Sequence, residues 1–353
     1  MKARLFSAIL ILLLFAFFGV AQQTAVTVFT HDGVVTSAAW NSDETQLLTA
    51  SEDGFVRLWD VTTGETIWQS DLSAPVGGAL WNPDETLVLA WTTSGNTILL
   101  NTESGTQTAE LPSNNDAPVN GARWHSDGAT ILVWKENMVS APTLRGADDF
   151  TSARFVLEHE STVLDARWNA DETRVLTVEL VGIAHVWDAT DGTEITTVNL
   201  DDETLGVAWS TDLQYVIAWG GNNQVQLFNI ETGRGMEAFN HRTFVEGAIW
   251  NNDETRIMSW GADDAARIWD AQTGDSIMAL RHEDWVTGAT WNTDETRILT
   301  WSFNTLWLWR ADGQLIRTFD HDALVTGASW NSDQTKLLSW SWDGTARIWN
   351  IRG

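Results

Sequence analysis

The stretch VTGATWNTDETRILTWSFNTLWLWRADGQLIRTF, residues 286–319, decides the architecture. Val286 to Trp291 alternates and runs into Asn292-Thr293-Asp294-Glu295-Thr296, a cluster that favours a turn over a strand. Arg297 to Ser302 is rich in β-formers and ends at a second polar turn. Leu306 to Trp309 reads as a third strand, closed by Ala311-Asp312-Gly313, and Gln314 to Phe319 as a fourth. No segment sustains a helical period, so α/β folds are excluded.

Outward from this stretch the same unit recurs eight times. The phrase Trp-Asn-x-Asp-Glu-Thr, or a close variant, places its Trp at Trp40, Trp81, Trp124, Trp168, Trp209, Trp250, Trp291 and Trp330. A second Trp follows ten residues later at Trp91, Trp134, Trp219, Trp260, Trp301 and Trp340, with Ala50 and Val178 in the other two units. A third large position falls at Trp59, Leu100, Trp187, Phe228, Trp269, Trp309 and Trp349, while the third unit has Thr143 there. Four short strands per roughly 41 residues make the blade of a β-propeller. The reading predicts an all-β chain forming one closed eight-bladed propeller of four-stranded blades, with seven blades as the alternative. Small residues such as Gly288 and Ala289 in the first strand are expected where inner strands crowd the axis.

The ends predict how the ring closes. The last unit has three strands and stops at Asn350-Ile351-Arg352-Gly353, and Ala25 to Phe29 is expected to supply its fourth. From Trp330 to the C-terminus and on from Gln22 to Trp40 is 42 steps, one repeat. Met1–Arg4 carries two cations ahead of an apolar run from Leu5 to Val20, and Gly19-Val20-Ala21 ends it with small residues. This describes a secretory signal peptide over residues 1–21, leaving the propeller as 22–353. An uncleaved anchor is the rival reading. Cleavage implies a secreted or periplasmic protein with no membrane attachment.

Over residues 22–353 the sequence resembles the WD-repeat β-propellers. Trp59-Asp60, Trp187-Asp188 and Trp269-Asp270 match the dipeptide that ends the third strand in that family. His31, His159, His241, His282 and His321 fall where its Gly-His pair sits, although the Gly is absent. Ser51-Glu52-Asp53-Gly54 and Ser341-Trp342-Asp343-Gly344 match its Ser-x-Asp-Gly. Most members have seven blades, so eight is a departure. The resemblance implies that His31, Ser51, Asp53 and Trp59, and likewise His321, Ser341, Asp343 and Trp349, form a structural hydrogen-bond network rather than a catalytic triad. A group that recurs once per repeat is a poor candidate for chemistry that needs one site.

Composition narrows the function. Acidic residues number 48 against 20 basic ones, for a formal charge of −28, with 23 Trp, one Tyr and no Cys. Such a chain cannot neutralise phosphates in quantity, so nucleic acid is excluded as a partner, and an anionic bilayer would repel it. The a–b turns carry Asp43-Glu44, Asp84-Glu85, Asp171-Glu172, Asp253-Glu254 and Asp294-Glu295, which read as a solvated acidic rim; calcium is the rival. Aromatics outside the repeat register are the better functional candidates. Phe244, Trp285 and Leu324 enter the first strands of blades six to eight, and Phe303 and Trp342 lie in b–c turns. The resemblance puts both positions on one face. The expectation is a monomeric, non-enzymatic scaffold that binds a protein or peptide there, with no catalytic residue, cofactor or metal. The alternative is a small ligand, glycan or calcium ion at the channel mouth.

Overall fold

Each repeat folds into an antiparallel sheet whose strands, a to d, follow in chain order. The computed structural model describes residues 25–111, 117–142, 153–200, 203–211 and 214–351. Residues 1–21, expected as a signal segment, lie outside these residues, as do Thr143 and Asp212. Blade 1 is Val35–Trp40, Gln46–Ser51, Phe55–Asp60 and Thr66–Asp71, and blade 7 is Val286–Trp291, Arg297–Ser302, Thr305–Arg310 and Leu315–Asp320. The described residues form eight such four-stranded sheets. The a strand of every blade touches the a strands on either side, and Val325–Trp330 of blade 8 touches Val35–Trp40 of blade 1, so the ring is closed. In the last sheet Thr27–Thr30 pairs with Thr345–Asn350, Thr27 opposite Ile348 and Thr30 opposite Thr345. The first and last described strands are thereby hydrogen-bonded to each other.

The core lies between blades. Leu48, Val56, Leu58 and Trp68 of blade 1 form one buried cluster with Val76, Ala79, Val88 and Leu100 of blade 2. Single sheets could not bury both faces, so each blade depends on its neighbours.

The small residue in strand a answers to strand b, not to crowding at the axis. Gly288 is paired with Trp301, and a Cβ on Gly288 would sit 2.0 Å from the indole. The same pairing joins Gly78 to Trp91, Gly121 to Trp134, Gly206 to Trp219, Gly247 to Trp260 and Gly327 to Trp340. In the two blades without the second Trp the glycine is gone too: Ser37 faces Ala50 and Asp165 faces Val178. One volume rule thus governs both positions.

The turn phrase holds neighbouring blades together. In blade 6, Asn251 Oδ1 accepts the Arg256 N–H (2.8 Å), and Asp253 Oδ1 accepts from the backbone and hydroxyl of Thr255 (3.1 and 2.6 Å). The Glu that follows serves the preceding blade. Glu295 of blade 7 accepts the Asn252 N–H of blade 6 at 2.5 Å, Glu85 of blade 2 that of Ser42 at 2.5 Å, and Glu172 of blade 4 that of Ser126 at 2.8 Å. Glu254 takes Thr211 in the same way, and Glu44 of blade 1 takes Ser332 of blade 8 at 2.5 Å. These Glu residues all hold positive φ, 55–59°. Blade 2 has Pro83 in the donor place, with no N–H to give, and blade 3 presents Gly128 rather than a Glu opposite it. The expectation of a merely solvated rim is therefore corrected: five of its carboxylates are inter-blade clasps.

Replacing Gly288 by Ser should overpack the Trp301 site and cost about 1–3 kcal/mol. Trp301→Ala should cost about 3–5 kcal/mol alone. Combined, as in blades 1 and 4, the two should cost less than their sum by about 1 kcal/mol or more in a urea-denaturation cycle. Simple additivity would contradict the volume rule.

Candidate functional site

Two sets of residues stand out from the repeat: the buried histidine networks and the aromatic group on the face that carries the b–c turns.

The networks are built from one loop and two strands. His321, in the loop entering blade 8, meets Ser339 of strand b through Nε2 (2.7 Å), and the Trp349 indole of strand c donates to the same hydroxyl (2.8 Å). His241, Ser259 and Trp269 repeat this at 2.7 and 2.8 Å, as do His159, Thr177 and Trp187, and His282, Thr300 and Trp309. In blade 1 Trp59 donates to Thr49 (2.8 Å), while His31 Nδ1 faces Arg57 (2.5 Å). The bridging hydroxyl of blade 8 therefore belongs to Ser339, not to Ser341, and in blade 1 the indole meets Thr49 rather than Ser51. Ser51 caps its own turn by accepting the Asp53 N–H (3.2 Å). Ser341 accepts that of Asp343 (3.0 Å) and donates to the Ala323 carbonyl (3.0 Å).

A comparison among the units could have found this hydroxyl. Ser or Thr occupies its position only where the His is present. Blade 2 has Leu72, Ala90 and Leu100 instead, and blade 5 has Leu200, Ala218 and Phe228, each set packed in an apolar cluster. The polar and the apolar versions are alternatives, because a half-satisfied network would be worse than either.

Ser339, His321 and Asp343 do stand in triad order, with Asp343 at 2.9 Å from His321 Nδ1. Their surroundings preclude attack on a substrate. Ser339 is fully buried, and its oxygen already receives the Trp349 N–H, so its own proton points to the imidazole. Arg347 holds Asp343 from the other side at 2.8 Å. Burial lowers the pKa of His321 against the opposing pull of Asp343.

The aromatic group is of another kind. Trp285, Phe303 and Trp342 are 47%, 55% and 58% exposed, and Phe244 and Leu324 are half-buried. Phe244 stands edge-on to Trp285, ring centres 5.0 Å apart. The Trp342 N–H bonds the Leu324 carbonyl (2.9 Å), and the Val325 N–H bonds that of Phe303 (2.7 Å), which places both b–c turns beside the start of blade 8. Phe303 has φ +49° in a two-residue turn between Ser302 and Thr305. A bulky residue in this region is a true outlier, of the kind found where a side chain is kept for a purpose other than stability. Glu283, Asp284 and Asp322 are exposed in the adjoining loops. Among the described residues no group of three or more His, Cys, Asp or Glu side chains is arranged to hold a metal ion.

Comparison with known proteins agrees with this geometry. Residues 23–60 and 313–350 match the family model described as WD domain, G-beta repeat. These two segments carry the blade 1 and blade 8 networks, each with its His, Asp and Arg. Both matched segments are WD repeats, set in an eight-bladed β-propeller. It is 32% identical over 84 residues to Retinoblastoma-binding-like protein E of Dictyostelium discoideum, across 23% of this chain and 16% of that protein. It is 39% identical over 79 residues to the Ribosome biogenesis protein BOP1 homolog of Arabidopsis thaliana, across 22% and 10% respectively. The chain thus aligns with less than a fifth of the length of either relative. Among solved structures, the computationally designed Ika8 protein superimposes with a TM-score of 0.80 at 16% identity, covering 93% of this chain and all of that one. Saccharomyces cerevisiae Sqt1 gives 0.83 at 10% identity over 94% of this chain and all of Sqt1. Both show the fold.

The networks give this propeller an acid-labile interior. Burial lowers His31, His159 and His282 to about 4, against about 6.5 in the unfolded chain. The unfolded chain binds more protons between those values, so stability is full above pH 6.5 and falls as pH drops toward 4. Asp43, Asp84 and Asp253, lowered chiefly by their threonine hydroxyls, extend the loss below the ordinary carboxylate range. The urea midpoint should decline steadily from pH 7 to pH 4.5. A flat profile would contradict neutral buried imidazoles.

Proposed function

We propose that this propeller is a non-enzymatic scaffold that binds a protein or peptide through Trp285, Phe303 and Trp342, with Phe244 and Leu324 as their footing. The single observation that carries the reading is the exposure of three large aromatics on adjacent blades, one of them on strained backbone. Aromatic anchors of this type dominate binding energy where they can be desolvated by a partner. The family's fold and the relatives' names, which refer to retinoblastoma binding and ribosome biogenesis, support a role in protein assembly. The signal-like residues 1–21 support action outside the cytoplasm, released from the membrane. Exported protein should therefore begin at Gln22 by intact mass; retention of Met1 would contradict release.

Partner capture from cell-envelope extract with wild type and with the Trp285→Ala, Trp342→Ala double variant tests the binding surface. The variant should keep its unfolding midpoint and lose the captured protein. Loss of stability with capture intact would sink the reading. Phe303→Gly supplies a second test. It should raise stability by about 1 kcal/mol, because glycine tolerates positive φ, while weakening capture. A destabilised Phe303→Gly would mean that the ring serves the core.

A further inference from the structure

The seams between blades carry a second kind of site, and the protein itself shows what fits it. At the seam of blades 1 and 2, Trp68 of strand d lies across the gap. Its ring covers Gly105, where a Cβ would come within 2.6 Å of the indole, and its N–H donates to the Thr102 carbonyl at 2.6 Å. Leu58 and Trp81 complete the packing around it.

The seam of blades 5 and 6 has the same walls without the indole. Leu227 corresponds to Leu58, Trp250 to Trp81, Ala271 to Thr102 and Gly274 to Gly105. Strand d pairs Gln226 with Ala238 and Phe228 with Gly235, as blade 1 pairs Arg57 with Gln69 and Trp59 with Thr66. Glu237 therefore occupies the place of Trp68. Its carboxylate comes within 3.2 Å of a Cβ built on Gly274, beside the surface that the Trp68 ring covers in the other seam. What remains is a groove of about 550 Å3 lined by Tyr215, Leu227, Met236, Glu237, Trp250 and Asp270. Met236 is 54% exposed at its lip. The neighbouring seam of blades 4 and 5, with Thr196 opposite Val186 in strand d, is open to a lesser extent, about 390 Å3.

We propose that the groove between blades 5 and 6 binds a small molecule that carries an indole-like ring and a cationic group. The ring takes the place that Trp68 fills in the other seam, over Gly274 and between Leu227 and Trp250, with its N–H directed to the Ala271 carbonyl. The cation meets Glu237 and Asp270, which replace the neutral Trp68 and Asn101. A ring without charge would leave the Glu237 carboxylate to be desolvated unpaired, and an anionic ring would be repelled. This site lies away from the aromatic group of blades 6 to 8 and does not depend on it.

Tryptamine is the probe, titrated by calorimetry into the whole protein, with indole-3-acetate as the charge-reversed control. Tryptamine should bind saturably at one site and indole-3-acetate at least about tenfold more weakly. Glu237→Gln, which keeps the shape of the side chain, should weaken tryptamine by about tenfold. Glu237→Trp, which restores the self-filled seam, should abolish binding while leaving the circular dichroism spectrum and melting intact. Absence of saturable tryptamine binding to wild type, or binding undiminished in Glu237→Trp, would overturn the site. Equal affinity for the two indoles, or no change in Glu237→Gln, would overturn the assignment of a cation.

Discussion

A carboxylate that reaches from one blade to the backbone of the blade before it is the interaction on which this ring depends. Glu44, Glu85, Glu172, Glu254 and Glu295 each occupy a left-handed backbone position that costs a non-glycine residue about 1 kcal/mol. The position is retained because it aims the carboxylate at an N–H on an exposed loop of the adjacent blade. Where Pro83 removes the donor, Gly128 removes the acceptor. The Glu44 clasp joins blade 8 to blade 1, and the Thr27–Thr30 strand, which leads on into blade 1, pairs within the sheet of blade 8. Five of the 48 acidic residues are thus part of the ring itself.

The spacing of the tryptophans made the fold legible before any coordinates. Strand number, blade count and closure by Ala25–Phe29 follow from periodicity, because every blade must solve the same packing problem. Pairings between positions were harder to see. Gly288 and Trp301 are 13 residues apart and meet only because strands a and b are antiparallel with a bulge after Val286. The signal was present in the exceptions, Ser37 with Ala50 and Asp165 with Val178. The bridging hydroxyl was missed for a similar reason. Ser51 and Ser341 sit in a recognisable motif, whereas Thr49 and Ser339 are unremarkable residues in an apolar strand. The clasps were hidden altogether, since a Glu in a polar turn reads as solvated until the neighbouring blade is in place.

Repetition also separates structure from function. Residues that recur in register are committed: tryptophans to the seams, histidines to buried hydroxyls, turn carboxylates to clasps. What departs from register is free for other work. Trp285, Phe303 and Trp342 depart on one face, and Glu237 departs at a seam by standing where the fold has elsewhere shown that an indole belongs. The first exposes apolar surface that water solvates poorly, and the second leaves a gap that the chain itself does not fill.

Amide hydrogen exchange at the clasped turns tests the ring most directly. Ser42, Ser126, Asn252 and Ser332 are exposed residues in surface turns whose N–H groups would exchange freely in the absence of the neighbouring Glu. With the clasps in place, their amides should be protected to the level of the central strands and should lose protection together as the ring opens. Exchange of these amides at the rate of ordinary surface loops, in a protein whose strands remain protected, would contradict the account.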